Sequence, residues 1–509
     1  MRVLLVNTNL MKPPVAPIGL DFLADSLSAA GHEPRLLDLC FSSDIEADIA
    51  GAVSGFRPDA VGVSVRNTDD CFLASGAYFL PGIGEMIGAI RRASEAPVVM
   101  GGVGFSIMPD AVMDFCGADF GIAGEGEEAF VGFLAALRSG SGMAGVPGLL
   151  YRMRGAIQRN PPSSVRLDLL PPRTRSLADN PRYFREGGQA GFETRRGCPM
   201  SCIYCADPVA KGRHIRLRPP RLIVEEIGSL ASRGIDHFHA CDCEFNIPIG
   251  HAREVCEALV DAGLGERIRW YAYCAVTPFD AETAMLFRRA GCAGIDFGAD
   301  SGSAEMLRRL GRHYGPEDLA RTAGSCRAAG IPFMYDLLVG GPGETWETVR
   351  ESLDTVRRAD PDCIGVSLGV RVYDGTGLAG LVRGAGPMEE NSDLRGATRG
   401  NPRFLAPVFF LSAALGEGVE AFLRDLVGSD ERFFLPGGPD PGQDYNYNDN
   451  ELLVQAIAGG ERGAYWDILR RSRLGERRLV TLPPLPERAV SRTPGRSSRD
   501  PAPASPGRS

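Results

Sequence analysis

The sequence predicts an α/β protein: a doubly wound parallel sheet, then a second, partly closed parallel sheet, then a mainly helical C-terminal part. Three observations predict it. Short apolar runs alternate with helical periodicity from the N-terminus to about residue 370. A Pro- and Arg-rich stretch without periodicity, 151–190, divides this alternation in two and reads as a linker. Beyond residue 400 the pattern turns helical and aromatic, and from about 485 it is Pro, Arg and Ser, a composition that predicts a disordered tail.

In the first unit, 1–150, strands are expected at 3–7, 35–39, 60–65, 96–100 and 120–123. Helices are expected at 20–30 (stopping at Gly31), from about 45, and at 82–92, 109–115 and 127–137. Five such units predict the flavodoxin-like strand order, in which ligands bind at the carboxyl ends of the strands where the order reverses. Those ends carry Asn7, then Arg66, Asn67, Thr68, Asp69 and Asp70, then Gly101 and Gly102, then Gly124, Glu125 and Gly126.

The second series, 191–395, has expected strands at 192–194, 238–241, 269–274, 294–298, 332–339 and 364–370. Helices fit at 221–233, 251–262, 281–290, 316–329 and 345–359. Six units are too few for a closed eight-stranded barrel and predict an open (β/α)6 one. The C-terminal segment, 396–484, is read as a helical capping domain with a polar aromatic cluster at 445–450.

Composition narrows the function. The chain has 509 residues and a net charge of 55 − 64 = −9, which argues against nucleic acid or an anionic membrane as partner. No run approaches the ~20 apolar residues of a bilayer span. The opening MRVLLVNTN lacks the long apolar region of a signal peptide, so a cytoplasmic location is expected. Thirteen cysteines, an odd count in such a chain, read as metal ligands before disulfides.

Three of them, Cys198, Cys202 and Cys205, form CxxxCxxC on one loop after a predicted strand. Three adjacent thiolates can hold three irons of a [4Fe–4S] cluster and leave the fourth iron open. A structural zinc site completed by Cys241 or Cys243 is the alternative, although zinc ligands favour paired CxxC knuckles.

With Tyr204 before the last cysteine, the triplet resembles the radical S-adenosylmethionine (SAM) superfamily. The resemblance implies that the open iron chelates SAM. Residues 298–303 match that family's fourth-strand segment at the SAM ribose, which assigns Asp300 and Ser301 to SAM; 338–345 match the fifth-strand loop, which assigns Gly340 and Gly341. Residues 371–376 fit the adenine-side loop. At the end of the second strand the family's Gly-Gly-Glu-like stretch is replaced by 240–246, so Asp242 and Glu244 are candidates for the SAM ammonium, or Glu244 for the open iron; solvated strand-end acids are the alternative.

The preceding doubly wound sheet, through 17–20, 98–102 and 119–127, is similar to that of the cobalamin-binding radical SAM family. The similarity assigns Asn7, Arg66, Asn67, Asp69, Gly101, Gly102, Gly124 and Glu125 to cobalamin; a flavin or nucleotide is the alternative. The domain has one histidine, His32, and no DxHxxG loop to ligate cobalt. Arg66 is therefore placed at the lower face of the corrin, where a guanidinium has no lone pair to give. The alternative is a surface pair with Asp69 or Asp70.

The resemblance implies transfer of a methyl group from SAM, via methylcobalamin, to a carbon of a small-molecule substrate. Arg66 and Glu244 lie nearest the chemistry, and an electron donor such as flavodoxin or ferredoxin is expected. The alternatives are a cobalamin-dependent radical SAM cyclase or rearrangement enzyme, and a non-catalytic corrinoid carrier or sensor. More narrowly, 65–69, 445–450 and 463–467 resemble the branch that methylates C2 of tryptophan in thiopeptide antibiotic biosynthesis. Tyr445, Tyr447, Tyr465 and Trp466 would then offer π faces to an indole, unless they are simply core.

Overall fold

The computed structural model describes residues 1–437 and 441–475; the expected disordered tail and the end of the 396–484 segment lie outside the described residues. Strands β1 (Arg2–Asn7), β2 (Glu33–Asp38), β3 (Ala60–Ser64), β4 (Val98–Gly101) and β5 (Phe120–Ile122) are parallel in the order β2-β1-β3-β4-β5. Alternate residues of β1 face opposite sides of this sheet. Val3 and Leu5 join the core under helices Ile18–Ala29 and Gly126–Ser139, while Leu4 and Val6 join the core under Ile45–Phe56 and Leu80–Ala93. Local signals set the ends: the Asp44 carboxylate accepts from the Ala47 N–H to start one helix, and Gly117 closes Pro109–Cys116 in the left-handed conformation.

Residues 151–190 are more than a linker. Strands β6 (Leu149–Met153) and β7 (Ala156–Arg159) add an antiparallel hairpin to β5, and Asp179 caps a helix at Asn180–Gly187. The hairpin's exposed residues, Arg152, Met153, Ala156 and Arg159, mix polar and apolar types, so its two short strands show no apolar alternation in the sequence. The remainder of the segment carries Arg175 into a buried charge network. Its guanidinium donates to Asp21 of the first unit at 3.0 Å and to Glu226 of the second at 2.8 Å, and Arg218 also meets Glu226 at 2.8 Å.

The second sheet begins with β8 (Ala190–Phe192). A short hairpin pairs β9 (Arg195–Arg196) with β10 (Arg216–Leu217). Strands β11 (His237–Ala240), β12 (Arg269–Cys274), β13 (Cys292–Asp300), β14 (Phe333–Val339) and β15 (Cys363–Leu368) follow β8 in sequential parallel order, the expected partial barrel. After β15, β16 (Val370–Arg371), β17 (Leu394–Gly396) and β18 (Val408–Phe410) form a small antiparallel sheet, so the 395/396 division falls inside a strand. The C-terminal part also contributes β19 (Phe433–Phe434), a seventh strand parallel to β15. Two adjacent phenylalanines have no periodicity with which to announce a strand.

Helices Glu451–Ala458 and Tyr465–Gly475 then close the amino-terminal end of the barrel. Leu453, Ile457, Trp466, Ile468 and Leu469 pack with Tyr271, Met334 and Cys363 from the early parts of β12, β14 and β15. Trp466, 3% exposed, belongs to this plug. Its assignment to substrate is corrected: the core reading holds for this ring.

Candidate active site

Side chains of β13 alternate, and those turned into the barrel mark successive layers above the plug. A Cβ on Gly294 would stand 2.9 Å from ring atoms of Tyr271 and Trp466. Next comes Asp296, against Asp336 of β14. A Cβ on Gly298 would lie 3.2 Å from Arg312 Nη2 and 3.9 Å from Glu244 Oε1. Asp300, at the carboxyl end, binds Arg312 Nε at 2.5 Å.

The cysteine loop faces this upper layer. Cys198 is 5% exposed, and Cys202 and Cys205 are half-buried. Burial pushes the Cys202 thiol up to about 11 and Cys205 to about 12, and each is raised further by its neighbouring cysteines. Iron is the cation that would draw such thiols into the thiolate form. Among the described residues no three His, Cys, Asp or Glu side chains converge as the ligands of a single ion do. Cys243 instead hydrogen-bonds Cys198, with Lys211 Nζ 3.6 Å from its sulfur.

Beside the loop, the Tyr204 hydroxyl donates to Asp300 at 2.6 Å and Arg312 Nη2 donates to Tyr204 at 2.9 Å. Arg312 Nη1 is buried without a hydrogen-bond partner, 3.7 Å from Glu244 Oε1. Burial raises the Glu244 carboxyl to about 7 against the attraction of Arg312, and its carboxylate accepts no hydrogen bond among the described residues. Tyr204, Asp300, Arg312 and Glu244 thus form one polar wall with unfilled capacity next to the cysteines.

Four residues assigned to SAM, Asp242, Ser301, Gly340 and Gly341, serve the scaffold. Asp242 accepts from the Thr194 N–H at 2.9 Å, the Thr194 hydroxyl at 2.5 Å and the Arg195 N–H at 3.2 Å, which fixes the turn between β8 and β9. Ser301 shares a 2.7 Å hydrogen bond with Ser352. The Gly340 and Gly341 N–H groups both donate to Glu344, at 2.5 and 3.0 Å, so the loop is saturated from within.

At the carboxyl ends of the first sheet, Gly102 has φ +100° and a Cβ there would strike the Val65 carbonyl, while Gly124 (φ +93°) has open space beside it. With Gly101 and Asn67 they leave a flat, uncluttered rim of the kind a macrocycle needs. Helix Val103–Ile107, just after Gly102, packs against helix Asp207–Lys211 of the cysteine loop, which sets this rim over the barrel mouth. Arg66 projects from the rim. Asp69 and Asp70 do not pair with it: Asp69 binds Arg371 at 2.9 Å, and Asp70 takes Ser75 and Asn446. No carboxylate pairs with Arg66 among the described residues, and its charge reaches Tyr273 and Tyr465. Tyr273, on β12, is 46% exposed.

Three residues assigned to cobalamin have partners within the protein. Asp69 is committed to Arg371 and Tyr373, and Glu125 to Arg196 at 3.0 Å and Arg216 at 3.2 Å. Asn7 donates to Asp38 and Tyr183. Tyr445, Tyr447 and Tyr465 do gather, with ring centres 5.8 and 6.2 Å apart in succession. Arg312, Asp296, Asp336 and Tyr273 escaped the sequence reading. The two aspartates had a signal, a carboxylate in the middle of an apolar strand run; Arg312, in a polar turn after Ala304–Leu310, had none.

Comparison with known proteins bears on the whole arrangement. Residues 192–356 match the model described as Radical SAM superfamily, and 5–134 match the B12 binding domain. The chain is 34% identical over 440 residues to the tryptophan 2-C-methyltransferase of Streptomyces laurentii, covering 74% of each chain. The chain belongs to the cobalamin-binding radical SAM methyltransferases. The structure of the radical SAM methyltransferase TsrM from Kitasatospora setae, with tryptophan and the SAM analogue aza-SAM bound, superimposes with a TM-score of 0.88 at 31% identity, over 94% of this chain and 98% of that one. The cobalamin-dependent radical SAM enzyme OxsB shares the fold, with a TM-score of 0.69 at 18% identity, over 84% of this chain and 66% of that one. As a member of the methyltransferase family, this enzyme uses a [4Fe–4S] cluster, SAM and cobalamin.

Proposed function

We propose that this methyltransferase delivers the methyl group of SAM to C2 of tryptophan, with cobalamin as the carrier. The observation that carries the proposal is the unpaired Arg66 guanidinium, set at the cobalamin rim in a domain without a DxHxxG loop and close enough for its charge to act on Tyr273 and Tyr465. The Streptomyces laurentii relative, named for this reaction, supports the same reading over three quarters of its length. When bound, the cluster supplies an iron that holds SAM and cobalamin supplies a cobalt that takes and gives the methyl group.

The chain's own residues bind, orient and shield. Cys198, Cys202 and Cys205 hold the cluster. Tyr204, Asp300 and Arg312 set one wall against SAM, and the Glu244 carboxylate, which accepts no hydrogen bond and has Arg312 at 3.7 Å, meets either the SAM ammonium or the open iron. Gly101, Gly102, Gly124 and Asn67 border the corrin. Arg66 would offer a bound cobalamin a cation with no lone pair to give, which would favour release of a carried methyl group as a cation equivalent. Tyr445, Tyr447 and Tyr465 give the indole apolar faces and keep water away. A one-electron donor such as flavodoxin or ferredoxin maintains the cobalt, and we place the enzyme with such donors in the cytoplasm. Among the described residues no helix is long and apolar enough to cross a membrane.

The test is incubation of cobalamin-loaded, cluster-reconstituted protein with SAM and L-tryptophan, read by mass spectrometry. Methylated tryptophan without 5′-deoxyadenosine is the expected result. 5′-Deoxyadenosine with unmethylated tryptophan would favour a cyclase or rearrangement enzyme, and intact SAM a corrinoid carrier.

A further inference from the structure

Asp296 and Asp336 lie in the middle layer of the barrel, above the aromatic plug and below Glu244 and Arg312. Asp296 is 3% exposed, and its Oδ1 has no hydrogen-bond partner; Oδ1 of Asp336 has none either. No Lys, Arg or His forms an ion pair with either residue among the described residues. The two carboxyls lie within hydrogen-bonding reach of each other, which acceptor-only groups satisfy only when a proton sits between them. Burial drives both towards that protonated state; the charge of Asp336 adds to it at Asp296, while at Asp336 hydrogen bonds with Tyr445 and Asp296 oppose it.

The walls of this layer are aromatic. Tyr273 stands on β12, and Tyr445 and Tyr447 close the space from the C-terminal part. A Cβ on Gly365 would collide with both Asp336 Oδ1 and Tyr445 Cε2, so the acid rests directly on the tyrosine ring. A second unpaired group opens nearby, the Tyr465 hydroxyl, whose ring is 6.2 Å from Tyr447. A buried and a half-buried carboxyl without a cation destabilise the empty protein, and such strain persists in folded proteins where a ligand relieves it.

We propose that the Asp296–Asp336 pair receives the α-ammonium group of the amino-acid substrate. This rests on the tryptophan reading and adds which end of the substrate is anchored, and by what. An ammonium brings three N–H donors to two converging carboxyls whose Oδ1 atoms have no other donor. The tyrosine faces accept the same cation edge-on to the pair. An indole that lacks the amine would leave both oxygens unpaired in a dry layer, the kind of loss that discriminates strongly between ligands.

The test compares calorimetric binding of L-tryptophan and indole-3-propionic acid to the cobalamin-loaded holoenzyme, in the absence of SAM. The wild type is expected to prefer tryptophan by about tenfold or more. In Asp336→Asn and in Asp296→Asn the preference falls towards one, with tryptophan weakened and the des-amino compound bound as well or better. Both variants are expected to melt no lower than the wild type, because each removes one of two facing acids. A preference that survives both substitutions overturns the inference. So does an equal loss of both ligands together with a lower melting temperature, which would make the pair structural. Equal wild-type binding of both compounds removes the ammonium assignment and leaves the tryptophan reading standing; binding of neither removes the tryptophan reading as well.

Discussion

Arg66 has two aspartates within four positions in sequence, and both are taken by other partners, Asp69 by Arg371 and Asp70 by Ser75 and Asn446. A guanidinium left without a carboxylate at a ligand rim is held there for what it does to the ligand. Arg66→Ala is therefore expected to retain bound cobalamin and to lose at least about tenfold in methyl transfer, roughly 1.4 kcal/mol or more of barrier. The cob(II)alamin paramagnetic spectrum of the wild type is expected to show no nitrogen superhyperfine splitting. Splitting, or full activity in the Ala variant, would contradict a lower-face role. The same comparison explains which site residues were legible in the sequence. Arg66, Glu244, Tyr204 and the cysteines stand where local spacing places them. Asp69, Glu125, Asp242 and Ser301 are of equally suitable type, yet each is consumed by a partner distant in sequence, and no local pattern records that pairing.

The loop from β14 into helix Trp346–Ala359 is built around one acid. Thr345 caps the helix, and Glu344 turns back to accept the Gly340 and Gly341 N–H groups. Burial raises its carboxyl from 4.5 to about 7, with those two hydrogen bonds opposing the rise. A raised acid contributes stability that is complete below the unfolded value and is lost as pH climbs through the folded one. Wild-type melting temperature is thus expected to fall relative to Glu344→Gln between pH 4.5 and about 7, and the difference to stay level above that. A difference that is flat across this window would mean that the acid is not held in this environment. Helices and long strands were legible because their apolar residues recur with a fixed period. The hairpin β6–β7 and the two-residue β19 were not, because pieces so short take their conformation from the strands they join.

The two units are joined through buried charge, which no periodicity reveals. Arg175 links Asp21 to Glu226, Arg196 links Glu125 and Glu127 to the cysteine-loop hairpin, and Arg371 reaches Asp69 at the cobalamin rim. Asp69 and Arg371 side chains are 1% and 4% exposed, so removing one partner leaves the other charged and dry. Arg371→Met is expected to cost about 3–5 kcal/mol in urea unfolding and to lower cobalamin content, while the double variant Asp69→Leu/Arg371→Met regains much of the loss. An unchanged unfolding midpoint in Arg371→Met would contradict this staple. With the rim held in this way, the packing of helix Val103–Ile107 on helix Asp207–Lys211 keeps it beside the cysteine loop, and that proximity underlies the reaction proposed. The most direct measurement uses SAM labelled with deuterium in its methyl group and L-tryptophan deuterated only at C2. The account predicts a product that carries the intact trideuteriomethyl group and has lost the C2 deuteron. A product that keeps the C2 deuteron, or SAM turnover that leaves tryptophan unlabelled, would contradict it.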